Sequence, residues 1–191
     1  MPELPEVETI KNILANYVLQ KTIRGVKVIN RNTIDGDVSL FVNSLVGKTI
    51  IDLQRMGKFL VFHLNDEIIL LSHLRMEGKY FYHQQAQENY DKHACVIFNF
   101  DDGSVLEYND TRKFGIMKVD KRADYLRNPP LSKLGPEPFS VGDIDALFAK
   151  MKRKSIPIKM LLLDQSFLSG LGNIYVDEVL YLTKIHPETP A

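Results

Sequence analysis

Lys58-Phe-Leu-Val-Phe-His-Leu64 and Glu67-Ile-Ile-Leu-Leu-Ser-His73 are two apolar runs of strand length, parted by the turn signal Asn65-Asp66. Working outward, similar runs rich in Val, Ile, Phe and Tyr recur at Thr22–Ile29, Thr49–Gln54, Lys79–His83, Ala94–Phe100, Ser104–Tyr108 and Gly115–Val119. Asp101-Asp102-Gly103 marks another turn, and polar Gln84–Lys92 reads as a loop. About eight closely spaced strands predict an antiparallel sandwich rather than βαβ units.

On the amino-terminal side, Val7, Ile10, Ile13, Leu14, Tyr17 and Val18 recur at helical spacing and predict a helix over Leu4–Gln20 with one apolar stripe. On the carboxy-terminal side, Asn128-Pro-Pro130 and Leu134-Gly-Pro-Glu-Pro138 form the clearest linker. Helical periodicity returns at Val141–Met151, Ile158–Gln165 and Asn173–Thr183, with a two-glycine loop, Ser166–Gly172, between the last two. So few short helices bury little core, and this second domain reads as incomplete.

The 191 residues allow one domain with a core, or one plus a partial second. The 24 basic and 24 acidic side chains cancel, which excludes attachment to a partner by bulk positive charge but leaves room for a local basic groove. A single cysteine, Cys95, excludes an internal disulfide and an all-cysteine metal site, and fits a reducing compartment. The histidines and the cysteine show no zinc-ligand spacing, so no metal is expected in this chain. No apolar run approaches the roughly 20 residues that span a bilayer. The start, Met1-Pro-Glu-Leu-Pro-Glu6, is acidic where a signal peptide is basic. A cytoplasmic protein without a membrane partner is the expectation.

Several residues can carry chemistry. Removal of Met1 would leave Pro2 as a secondary amine with a pKa near the ordinary α-amino value, about 7.7–8.0. Such an amine attacks a sugar carbon to give an iminium, an electron sink, with Glu3 beside it as acid or base. Read alone, Pro and Glu at a helix start are more simply a capping segment. Lys58 opens a strand and can project into a cleft, although alone it reads as a solvated edge charge. His73 can meet a phosphate, whereas Met76 alone reads as core. Arg112 and Phe114, two apart before Gly115, can present a cation and a ring to a base stack, or form an ordinary charged hairpin tip. Lys150, Lys152, Arg153, Lys154 and Lys159 form a basic run, read as a helix. Gly170-Leu-Gly-Asn173 follows it and offers helix-start amides to a phosphate.

Taken together these segments resemble the bacterial formamidopyrimidine-DNA glycosylases (8-oxoguanine DNA glycosylase/AP lyase). The motifs that carry the likeness are Pro2–Thr9, Gly57-Lys-Phe-Leu60, His73–Gly78, Asp110–Gly115, Leu134–Pro138, Leu161–Gln165 and Gly170–Val179, in the family's order. The resemblance implies an α+β fold: a β-sandwich catalytic domain with a long N-terminal helix (1–133), then a hinge and a partial helix-two-turn-helix DNA-binding domain (134–191). It implies that Pro2 attacks C1′ of a damaged nucleotide, that Glu3 protonates the ribose ring oxygen, and that Lys58 binds phosphate and assists strand cleavage. Met76, Arg112 and Phe114 would fill the gap left by a flipped base. His93, Lys154, Lys159 and Asn173 would hold backbone phosphates. The implied partner is duplex DNA with oxidised purines or abasic sites, bound by a monomer. The family continues with more helices and a four-cysteine zinc finger holding one zinc ion. Neither is in these residues, so the chain reads as carboxy-terminally truncated and of impaired activity. Two other readings stand beside this one: an endonuclease-VIII-type enzyme for oxidised pyrimidines, and a non-catalytic damaged-DNA-binding module.

Overall fold

Eight strands form two four-stranded antiparallel sheets in the computed structural model, which describes residues 1–191. The chain divides into two units, Met1–Arg127 and Asn128–Ala191. In the first, helix α1 (Leu4–Val18) precedes β1 (Ile23–Val28) and α2 (Val38–Leu45). Then come β2 (Ile50–Met56), β3 (Phe59–Leu64), β4 (Ile68–His73), β5 (Lys79–His83), β6 (Ala94–Phe100), β7 (Val105–Asn109) and β8 (Ile116–Lys121). One sheet runs β1-β6-β7-β5 and the other β2-β3-β4-β8.

Alternation explains the layers. Leu60, Phe62 and Leu64 of β3, Leu70 of β4 and Met117 of β8 form one core with Phe98 and Phe100 of β6 and Leu106 and Tyr108 of β7. A register shift between Ala94 and Val96 in β6 lets adjacent Cys95 and Val96 both belong to that core. Both are 0% exposed, and the Cys95 thiol donates to the His93 carbonyl at 3.4 Å. Val7, Leu14 and Val18 of α1 and Phe41 and Leu45 of α2 pack on the same core.

Three expectations are corrected. Helix α2 lies where only strands were read; Asp37 caps it by accepting from the Leu40 amide at 2.8 Å, and Phe41 and Leu45, one turn apart, bury its inner face. The apolar stripe of α1 is narrower than its sequence, because Ile13 and Tyr17 remain exposed and Tyr17 stacks on Tyr82 at 4.8 Å. Helix α1 also stops at Val18, and Gln20 takes φ 65.

In the second unit, α3 (Ile144–Met151), α4 (Ile158–Leu163) and α5 (Asn173–Thr183) are short. Ile158, Val176 and Leu180 form one small core, and Leu161, Phe167 and Leu168 another. On α5, Tyr181 and Leu182 are exposed. The Leu134–Pro138 stretch, read as a linker, is fastened within this unit. Its Gly135 amide donates to Gln165 O at 2.9 Å, and Ser169 Oγ donates to Gly135 O at 2.8 Å. No Cβ fits at Gly135, since it would lie 2.5 Å from Ser166 O. No helix is long and apolar enough to cross a membrane.

Candidate active site and loop cluster

The β2–β3 turn sets the first feature. Met56 pairs with Phe59, leaving Gly57-Lys58 as a two-residue turn, and Gly57 at φ 56 supplies the left-handed first position such a turn requires. Arg55 braces it, with Nε on Glu8 Oε2 at 2.7 Å and Nη1 donating to Gly57 O at 3.0 Å. Lys58 is therefore folded inward, only 4% exposed, which overturns the solvated-edge reading. Burial lowers its pKa, and the nearby Glu3 carboxylate pulls it back up. Glu3 is 2% exposed and caps α1: its amide donates to Glu6 Oε2 at 2.9 Å, and its own carboxylate accepts from the Glu6 amide. Pro2 is half-buried directly before it, with exposed Met1 ahead.

Strand register brings the other candidates to the same end of the sandwich. Phe59 pairs with His73, and His73 with Ile116, so the β2–β3 turn, the residues after β4 and those before β8 share one sheet end. In the facing sheet, Asn109 pairs with Lys79 and Ala94, which places the start of β5 and the His93 segment beside the end of β7. The Asp110 amide donates to His93 O at 3.0 Å. Met76 and Phe114 are 42% and 52% exposed, so neither is core, and the Arg112 guanidinium lies 4.8 Å from the Phe114 ring centroid.

His73 is more enclosed than its sequence context suggests. It is 8% exposed, its ring meets Phe59 edge-on at 4.5 Å, and its Nδ1 accepts from the Arg75 amide at 3.0 Å. Burial first, then the Arg75 and Lys58 charges, push its pKa down to about 3. The enclosed imidazole thus fastens the chain at the Arg75–Met76 turn through Nδ1.

Two residues of this cluster escaped sequence reading. The Asp110 carboxylate, 1% exposed, accepts from the amides of Arg112 (3.0 Å), Phe114 (2.9 Å) and Gly115 (2.7 Å). An Asp just before a Gly-ended loop is the available signal. Tyr108 gave none. Its fully buried hydroxyl has no hydrogen-bond partner and fills the space where a Cβ at Gly78 (2.3 Å) or Gly115 (1.7 Å) would stand.

In the second unit the basic run is not one helix. Lys150 lies in the last turn of α3, Lys152 to Lys154 follow it, and Lys159 lies on α4. Exposed Lys154 lines an open cleft of about 400 Å³ with Lys150, Arg153, Asp164 and Ser166. Lys159 pairs with Asp177 of α5 at 2.6 Å, one turn beyond exposed Asn173 at the start of that helix. No three His, Cys, Asp or Glu side chains converge in a way that could hold a metal ion.

Comparison with known proteins places these features in context. The model for the formamidopyrimidine-DNA glycosylase N-terminal domain matches residues 1–117, and that for the formamidopyrimidine-DNA glycosylase H2TH domain matches residues 134–191. The formamidopyrimidine-DNA glycosylase of Ligilactobacillus salivarius is 48% identical over 192 residues, covering 100% of this chain and 69% of that protein. The wild-type Lactococcus lactis Fpg bound to DNA containing N7-benzyl-Fapy-dG is similar at a TM-score of 0.92 and 37% identity, over 99% of this chain and 70% of that one. The same Lactococcus protein bound non-covalently to DNA with an AP site gives 0.92 and 37%, over 98% and 72%.

Proposed function

The chain belongs to the formamidopyrimidine-DNA glycosylase family, DNA glycosylases of base excision repair, and from that premise we propose that it removes oxidised purines through Pro2 and then cleaves the strand. The observation that carries this reading is the nearness of two buried ionisable groups, Glu3 and Lys58, with Glu3 next to Pro2. With Met1 removed, the neutral Pro2 amine bonds to C1′ while the glycosidic bond breaks, and the proton shed by the Pro2 nitrogen leaves with the base. Glu3, in its protonated form, gives its proton to the ring oxygen, the sugar opens, and a cationic C1′ iminium results. Loss of a C2′ proton then breaks the 3′ C–O bond, and a second elimination breaks the 5′ one. Lys58 binds phosphate and assists these proton transfers. Its burial favours the neutral form that can accept a proton.

Met76, Arg112 and Phe114 fill the gap left by the flipped nucleotide, and His93, Lys154, Lys159 and Asn173 hold phosphates. The DNA-bound Lactococcus relatives, one on an abasic site, support a damaged duplex as the partner.

Borohydride trapping tests the mechanism. Chain with Met1 removed should become covalently attached to duplex carrying an oxidised purine. Pro2→Gly, or chain retaining Met1, should not. Equal trapping with Met1 retained removes Pro2 from the reaction. A panel of oxidised purines and pyrimidines run in parallel fixes the lesion class.

A further inference from the structure

An exposed aromatic ring in a surface loop has no packing reason to stay in one place. Phe114 is such a ring, half exposed, in a segment with Lys113 at φ 57. What fixes the segment is the Asp110 side chain. Its carboxylate is held by three backbone amides rather than by a cation, one on Oδ1 and two on Oδ2. Hydrogen bonds to an ionised acceptor are among the stronger ones, and three to one buried group define the backbone path around it. That path leaves Arg112 and Phe114 outward and stacked, with the guanidinium over the ring.

We infer that Asp110 is a positioning residue for lesion recognition. It holds the Arg112–Phe114 pair in its inserting geometry before DNA arrives, so the loop need not be ordered during base flipping. The inference rests on the reading of Arg112 and Phe114 as the pair that enters the duplex.

Asp110→Asn tests it. The amide group replaces one acceptor oxygen with a donor, so at least one of the three amides loses its partner whichever way the side chain turns. Excision of an oxidised purine should fall about tenfold, as expected for one strong buried hydrogen bond, while cleavage of a pre-formed abasic site falls by less than about threefold. A 2-aminopurine beside the lesion should lose most of its fluorescence rise on binding. Adding Asp110→Asn to Phe114→Ala should change the lesion-to-abasic ratio little beyond Phe114→Ala alone.

Equal loss on both substrates, or full additivity of the two substitutions, overturns the inference. If Phe114→Ala shifts the ratio and Asp110→Asn does not, the positioning role alone fails. If Phe114→Ala leaves the ratio unchanged, the reading of the inserting pair fails. A measurement on the unsubstituted chain stands even if the variant does not fold. The Phe114 and Gly115 amides should exchange with solvent at least about a hundredfold more slowly than that of Thr111. Equal exchange overturns the proposal.

Discussion

Replacing Gly115 with Ala should be felt throughout the first unit, and the magnitude follows from the space available. The added Cβ would lie 1.7 Å from Tyr108 Oη, 2.8 Å from its Cζ and 3.1 Å from Asp110 Oδ2. Relief requires the phenol to retreat by roughly 1.5–2 Å to reach ordinary contact. It has nowhere to go: the ring is 0% exposed, stacks on Tyr80 at 5.1 Å, and has the Gly78 backbone close to its hydroxyl. Gly115 does not have a positive φ, so the substitution carries no separate backbone strain. Overpacking of this severity costs about 3 kcal/mol, and in a chain of this size that lowers Tm by about 6–12 °C. Near-UV circular dichroism during heating reads the change, because the buried tyrosines dominate the signal. Tyr108→Phe alone should be neutral or stabilise by up to about 1 kcal/mol, since it removes a buried hydroxyl without a partner. Combined with Gly115→Ala it should restore about half of the loss, the contact at the ring carbon persisting. A Gly115→Ala chain melting within about 1 °C of the parent would refute the packing argument.

Two further outcomes follow from burial. The depressed His73 pKa, about 3, means that the unfolded chain binds a proton on this residue at mildly acid pH while the folded chain does not. Its contribution is complete above pH 6.5 and drains as pH falls toward 3, with about 2 kcal/mol lost between pH 7.5 and 5. Denaturant titrations of His73→Asn should lack that increment, and an unchanged pH profile would contradict it. Hydrogen exchange should show the amides of β3, β4, β6 and β7 slower than those of α4 and α5 by at least about a hundredfold, because the small helical cores of Ile158, Val176 and Leu180 and of Leu161, Phe167 and Leu168 are thin. Uniform protection across both units would count against this.

The strands were legible because each carries its own alternation and its own turn residues, as in Phe59–Leu64 and Ile68–His73 around Asn65-Asp66. Helix α2 was not, because Val38-Ser-Leu-Phe-Val42 suits a strand as well as a helix until the Asp37 cap and the core decide. At the candidate site, residue type and order pointed to Glu3, Lys58, Arg112 and Phe114. Exposure was the hidden variable. A lysine after a glycine at a strand start is ordinarily solvated, and only the turn geometry at Gly57 and the neighbouring Glu3 turn Lys58 inward. The enclosure of His73 was hidden in the same way, since it depends on Phe59 from another strand. Asp110 entered only as the first residue of a motif, because its partners are main-chain amides, which a sequence does not display.

The bulge that turns Cys95 into the interior has a practical consequence. The chain holds one thiol, enclosed at 0% exposure, and residues 128–191 hold none. A thiol reagent can reach it only when the sheet containing β6 opens. Under excess reagent the labelling rate then reports that opening equilibrium, tenfold for every ~1.4 kcal/mol. One side chain thus serves as an internal clock for the unit Met1–Arg127, without any engineered probe.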